Sequence, residues 1–199
     1  TVFATEPGSA EMASAGRPFT ASLVVRLITR GVVVAPVVLH AGVSSPELHE
    51  SPTPERFHVP STTARLVNHV REAGSRVVAV GTTSARALES AVAADGSVRP
   101  SGGWTALVLG ADRPARIVTG LVTGLHAPET SHLLLLEAVA GRRLVDTAYQ
   151  AAVENGYLWH EFGDATLFLP LPGDTGRAAQ AARIAASLAT SMPCSTASR

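Results

Sequence analysis

The chain has 199 residues, of which 46% are hydrophobic and 16% charged, with a formal net charge of zero. This is long enough for one domain of ordinary size with its own core, and too apolar for a disordered chain. No apolar run approaches the roughly 18 residues of a membrane-spanning helix, and the neutral charge disfavours an autonomous nucleic-acid binder held by a basic surface, although a local arginine patch is compatible with it.

In chain order, Thr1 to Ala4 reads as the end of a strand and Glu6-Pro7-Gly8-Ser9 as a turn. Thr20 is placed to cap a helix from about Ala21 to Thr29, with Leu23, Val24 and Leu27 on its apolar face and Gly31 closing it. The β-branched run from Val32 to Leu39 predicts a strand buried on both faces, with Pro36 implying an edge or a bulge. His40 to Pro60 reads as a long proline-rich loop of the kind that is often functional. Ser61 to Ala73 predicts a helix with Leu66, Val67 and Val70 inward. Val77 to Val80 is a short apolar strand that breaks at Gly81; Thr83 or Ser84 then caps a helix reaching about Ala94. Trp104 to Leu109 and Arg116 to Val122, joined by residues 110–114, predict a β-hairpin. Helices follow over Thr130 to Ala140 and Leu144 to Glu154, then a strand over Ala165 to Leu169, an Ala-rich helix over Ala178 to Ala189 and a disordered tail. The alternation predicts an α/β domain over residues 1–172, a largely parallel sheet flanked by helices with one β-hairpin, and a separate helix and tail over 173–199.

In open α/β sheets ligands bind at the carboxyl ends of strands. That singles out His40, the turn Gly81-Thr82-Thr83-Ser84, the segment Thr123 to His126, and Asp164. A strand, a glycine, three hydroxyl residues and a helix leave free N–H groups at the helix start, a ready anion site; the alternative is an ordinary capped helix. Arg86, one turn further on, either pairs with a ligand carboxylate or with Glu89 at i+3. His126, just before Pro128 and a helix start, is a candidate general base or proton donor, or else a surface loop histidine. His40 is functional or structural on the same footing. His126 and His132 are six apart and share no helix face. Tyr157, Trp159 and Phe162 either stack on a base or belong to the core. All basic residues other than histidine are arginine, which excludes a lysine Schiff base or a P-loop lysine within this chain. The single cysteine, Cys194, excludes an intrachain disulfide and a cysteine-based metal site, and a cytoplasmic location is expected. No metal-binding pattern is present, so no metal is expected.

Val80-Gly81-Thr82-Thr83-Ser84-Ala85-Arg86-Ala87-Leu88-Glu89-Ser90 resembles the Val-Gly-Thr-Thr-Ser-x-Arg-x-Leu-Glu-Ser motif of the S-adenosylmethionine:tRNA ribosyltransferase-isomerases of queuosine biosynthesis. Further matches run in the same order: Pro7-Gly8-Ser9, Ala15-Gly16, Phe19-Thr20, Leu39-His40-Ala41-Gly42, Leu121-Val122-Thr123 with His126 and Pro128, Ala140-Gly141, Ala148-Tyr149 and Phe162-Gly163-Asp164-Ala165. The resemblance covers roughly residues 1 to 170. It implies an enzyme that transfers and isomerises the ribosyl moiety of S-adenosylmethionine onto the 7-aminomethyl-7-deazaguanine base of tRNA, at the anticodon wobble position, to give epoxyqueuosine. It implies S-adenosylmethionine as substrate and no tightly bound cofactor or metal. The fold it implies is an α/β domain with an inserted β-barrel, and with Thr1 in place of Met the chain is expected to begin after that barrel, as a C-terminal half. By the same resemblance Gly81, Thr82, Thr83, Ser84, Arg86, Glu89 and Thr123 bind substrate, His126 transfers a proton, and His40 or Asp164 assists.

The departures fall in polar loops. Gly16-Arg17-Pro18-Phe19 stands where the family has Gly-Leu-His-Phe, Gly124-Leu125-His126 where it has Asn-Phe-His, and Tyr157-Leu158-Trp159 where it has Tyr-Arg-Phe. Of its His-x-Met-His-x-Glu element only Glu55 remains. Two alternatives therefore stand beside the enzyme: a divergent paralogue acting on another acceptor, and an inactive homologue that only binds a nucleoside.

Overall fold

The computed structural model describes residues 1–42, 53–126 and 131–170. Its strands are β1 (Val38–His40), β2 (Glu55–Val59), β3 (Val78–Val80), β4 (Ser101–Thr105), β5 (Gly120–Gly124) and β6 (Ala165–Phe168). Its helices are α1 (Ala21–Ile28), α2 (Ser61–Glu72), α3 (Thr82–Ser90), α4 (Ser131–Ala140) and α5 (Arg142–Glu154). The fold is mixed α/β, but the sheet is not largely parallel. Two three-stranded sheets form, ordered β1-β2-β4 and β3-β5-β6. The first is antiparallel throughout; in the second β3 and β5 run parallel, and β6 returns antiparallel to β5.

The expected hairpin is not formed. Residues 101–105 pair with β2 in one sheet, and residues 120–124 lie between β3 and β6 in the other. The cause is Glu89. Its carboxylate takes the consecutive N–H groups of Arg116, Ile117 and Val118 at 2.7–3.0 Å, so this stretch cannot offer them to a ladder. The expected loop from His40 to Pro60 contains β2, whose alternation buries Phe57 and Val59 and exposes Arg56 and His58. The expected strand from Val32 to Leu39 shrinks to Val38–His40. Val32, Val33 and Val34 are exposed, as are Val25 and Ile28 on α1, so this β-branched run forms surface where burial on both faces was predicted. The Ala-rich helix lies outside the described residues.

α3 packs against strands of both sheets and against α4. It can approach closely because Ala85, Ala87 and Ala91 carry so little bulk, and all three are buried. Leu88 from α3, Leu121 from β5, and Leu136 and Val139 from α4 complete the core with Ile117 and Val118. Each such large side chain contributes about 1.5–3 kcal/mol by leaving water. α1 forms as predicted, with Thr20 Oγ1 accepting from the N–H of Leu23 at 3.1 Å. α3 starts two residues earlier than predicted. Gly81 is its N-cap, at φ 95°, and Ser84 Oγ is turned back to donate to the carbonyl of Val80 at 2.8 Å.

Candidate functional site

Parallel pairing of β3 with β5 sets Val80 opposite Val122, so both strands end at the same edge of the sheet. The Gly81 N–H donates to the Val122 carbonyl at 2.8 Å, which holds the turn beside Thr123. A side chain at Gly81 would be strained by its φ and would press on Thr83 Oγ1 at 3.2 Å. Ala15 belongs to a 3₁₀ turn over Ser14–Gly16 that covers this edge and is itself buried.

The chain leaving β5 builds the most distinctive feature of the molecule. His126 is buried, its Nε2 lies 3.1 Å from Thr123 Oγ1, and its N–H donates to the Tyr149 hydroxyl on α5 at 3.1 Å. Its ring stacks on His132, in the first turn of α4, with centroids 4.3 Å apart and planes 11° off parallel. His160, from a 3₁₀ turn over His160–Phe162, also meets the His126 ring, at 4.7 Å and 40°. The His160 N–H donates to the Leu125 carbonyl at 2.8 Å. This approach is possible because residue 124 is glycine: a Cβ there would collide with the Cβ of His160.

Burial pushes the His126 imidazole down to about 3, with the neighbouring His132 and His160 adding to the effect. His132 is lowered mainly by burial and then by His160 and Arg86, against the raising influence of Glu11 and Glu55. His126 is therefore uncharged at neutral pH. The Tyr149 hydroxyl is raised by burial, an effect partly offset by the N–H it accepts from His126.

Arg86 pairs with Glu55 on β2, not with Glu89. Its Nε donates to the Leu107 carbonyl at 3.0 Å, and Glu55 also accepts the Gly42 N–H at 3.0 Å. Arg86 Nη2 is buried with no hydrogen-bond partner among the described residues. Glu89 was expected to bind substrate and does not stand where it could. Its side chain is 0% exposed, and its two oxygens accept the 116–118 amides and face Arg113 at 3.5 Å. Asp164 accepts the Leu158 N–H and closes the turn before β6, while His40 sits at the end of β1 under Gly8. No hydrogen bond or ring contact among the described residues joins either of them to His126. Tyr157 and Phe162 are 56% and 72% exposed, so they are not the core residues that composition favours.

The structure thus gathers the Gly81 turn, Thr123 and His126, and adds His132, His160, Tyr149 and the Arg86–Glu55 pair. His132 and His160 were not singled out from sequence, because helical spacing says nothing about a histidine that lies before the helix and folds back on it. Gly124 inside a strand was the available signal of a close approach. Among the described residues no three His, Cys, Asp or Glu side chains are grouped so as to hold a metal ion.

The glycine turn and the buried histidine lie at the adjacent carboxyl ends of two parallel strands, the position at which open α/β sheets place their ligands. The family model described as queuosine biosynthesis protein matches residues 1–168, and the chain belongs to that family. It is 42% identical over 176 residues to the S-adenosylmethionine:tRNA ribosyltransferase-isomerase of Symbiobacterium thermophilum, covering 85% of this chain and 52% of the relative. With the enzyme of the same name from Gloeobacter violaceus it is 38% identical over 180 residues, covering 87% and 51%. A crystal structure of S-adenosylmethionine tRNA ribosyltransferase from Thermotoga maritima superposes with a TM-score of 0.65 at 39% identity, covering 78% of this chain and 51% of that one. The chain spans about half the length of the curated relatives it matches.

Proposed function

We propose that this protein acts as an S-adenosylmethionine:tRNA ribosyltransferase-isomerase, moving the ribosyl group of S-adenosylmethionine onto 7-aminomethyl-7-deazaguanine in tRNA to form epoxyqueuosine in the cytoplasm, with adenine and methionine leaving. The observation that carries this reading is the adjacency of the Gly81 turn to Thr123 and an uncharged, buried His126. The N–H groups opening α3 and the spare Nη2 of Arg86 suit the anionic carboxylate of the methionine part. Removal of a proton from the ribose carbon beside the sulfonium requires an unprotonated base, and the His126 imidazole is unprotonated at the working pH. In the tautomer whose Nε2–H donates to Thr123 Oγ1, Nδ1 is the nitrogen that receives that proton. An uncharged imidazole also avoids repelling the sulfonium cation. Thr82 and Thr83, half-buried in the first turn of α3, offer hydroxyls to the ribose. Glu89 supports the site indirectly, through the 116–118 segment that leads into β5.

The test is adenine release from S-adenosylmethionine by the full-length protein with tRNA carrying the 7-aminomethyl-7-deazaguanine base. Release that drops at least a hundredfold in His126→Ala supports the assignment, in line with the 10²–10⁴-fold contribution typical of general acid–base groups; unchanged release rules that residue out. The zero net charge favours a second reading, a different acceptor. Release with a small 7-deazaguanine nucleoside but not with tRNA would establish it.

A further inference from the structure

We propose that His132 and His160 are positioning residues for His126: both pack against its ring and hold it in the uncharged form that does the proton transfer. This deepens the reading above and rests on it. The geometry is specific. His132 lies face to face with His126, and His160 approaches at a tilt from a different element. Thr123 fixes the Nε2 side and Tyr149 holds the backbone, so ring plane, ring edge and main chain are all constrained. His160 is seated by three independent features. Its N–H bonds the Leu125 carbonyl, its carbonyl accepts from Arg17 Nη1 at 3.4 Å, and its Cβ fills the space that glycine leaves at residue 124. The departure from Asn to Gly at position 124 is in this way matched by a polar ring arriving from another part of the chain.

The charge environment supports the same role. The groups acting on the cluster are Glu11 from the amino-terminal segment, Glu55 from β2, Arg86 from α3, Tyr149 from α5 and His160 from the turn before β6. Glu55 is neutralised by Arg86 at short range. A proton on His126 is opposed first by burial and then by His132 and His160, and one on His132 by burial and then by His160.

Two variants read separately test this, His132→Asn and His160→Gln, each in the full-length protein. Two measurements are made on each: titration of the His126 imidazole followed by ¹⁵N NMR, and the pH profile of kcat/KM for adenine release. Removing either neighbour is expected to move the His126 titration upward, towards the ordinary range near 6.5, and to carry the acid limb of kcat/KM upward with it. Melting temperature serves as the fold control for both. If His126 titrates in both folded variants as it does in the wild type, the proposal is wrong, whatever the activity. If the titration shifts as expected but the wild type releases no adenine, the positioning role stands and the ribosyl-transfer reading falls. A residue that only filled space would lower the melting temperature and leave the acid limb in place, and that result also overturns the proposal.

Discussion

Replacing Glu89 with alanine strips the acceptor from three consecutive N–H groups in the interior. Arg116 donates to Glu89 at 2.8 Å, Ile117 at 2.7 Å and Val118 at 3.0 Å, and the carboxylate itself has no exposed surface. Each buried donor left without a partner costs about 1–3 kcal/mol. Ile117 and Val118 are fully buried, so water cannot readily replace the lost acceptor. Even with the Arg116 amide rescued by solvent, the loss is about 2–6 kcal/mol, at or beyond the upper end of ordinary point mutations. Glu89→Gln retains one carbonyl oxygen and is expected to lose less, about half as much. The assay is urea unfolding of the full-length protein near neutral pH, comparing midpoints at constant slope. A Glu89→Ala variant within about 0.5 kcal/mol of wild type would refute the reasoning. It would mean that the 116–118 amides find another acceptor and that Glu89 is free for a ligand.

Other expectations concern the site itself. Because His126 titrates at about 3 when folded and at 6.5 when unfolded, the unfolded state binds more protons between those values. Stability is therefore complete above pH 6.5 and falls as pH drops towards 3, by about 2 kcal/mol at pH 5 from this group alone. His126→Gln should flatten that limb in acid–urea titrations, and an unchanged slope would assign the titration elsewhere. Gly124→Ala should displace His160 and lower the melting temperature, whereas pairing it with His160→Gly should restore stability without restoring adenine release. Arg86→Met leaves Glu55 buried without its partner and should destabilise by about 3–5 kcal/mol; the double variant Arg86→Met/Glu55→Gln should recover most of that loss, as urea midpoints would register.

Much of the local structure was legible. Thr20 capping α1, Ser61 opening α2 and the paired helices about Gly141 follow from propensity and capping rules that need only neighbours in sequence. The Gly81 turn was legible too, as the glycine that breaks an apolar strand before a helix; its positive φ and its place as N-cap, where Thr83 or Ser84 was expected, are visible only in the structure. The failures share a cause: each was decided by a partner far along the chain. Val32 to Val34 carry strand composition but have no ladder in the described structure, so their pattern alone did not make a strand. Residues 116–118 look like a strand until Glu89 claims their amides. For Arg86 the sequence offered a ligand carboxylate or Glu89 at i+3, but the carboxylate it meets comes from Glu55, 31 residues away. The histidine cluster joins residues 126, 132 and 160 across three elements, and no spacing rule on one helix or strand could assemble it.

Hydrogen–deuterium exchange of the full-length protein with and without S-adenosylmethionine tests the location of the site most directly. The account predicts added protection at residues 81–86, where α3 begins at the end of β3, and at 123–126, where the chain leaves β5, with little change in β1, β2 and β4. Protection confined to the antiparallel sheet, or none in either segment at saturating ligand, would contradict it.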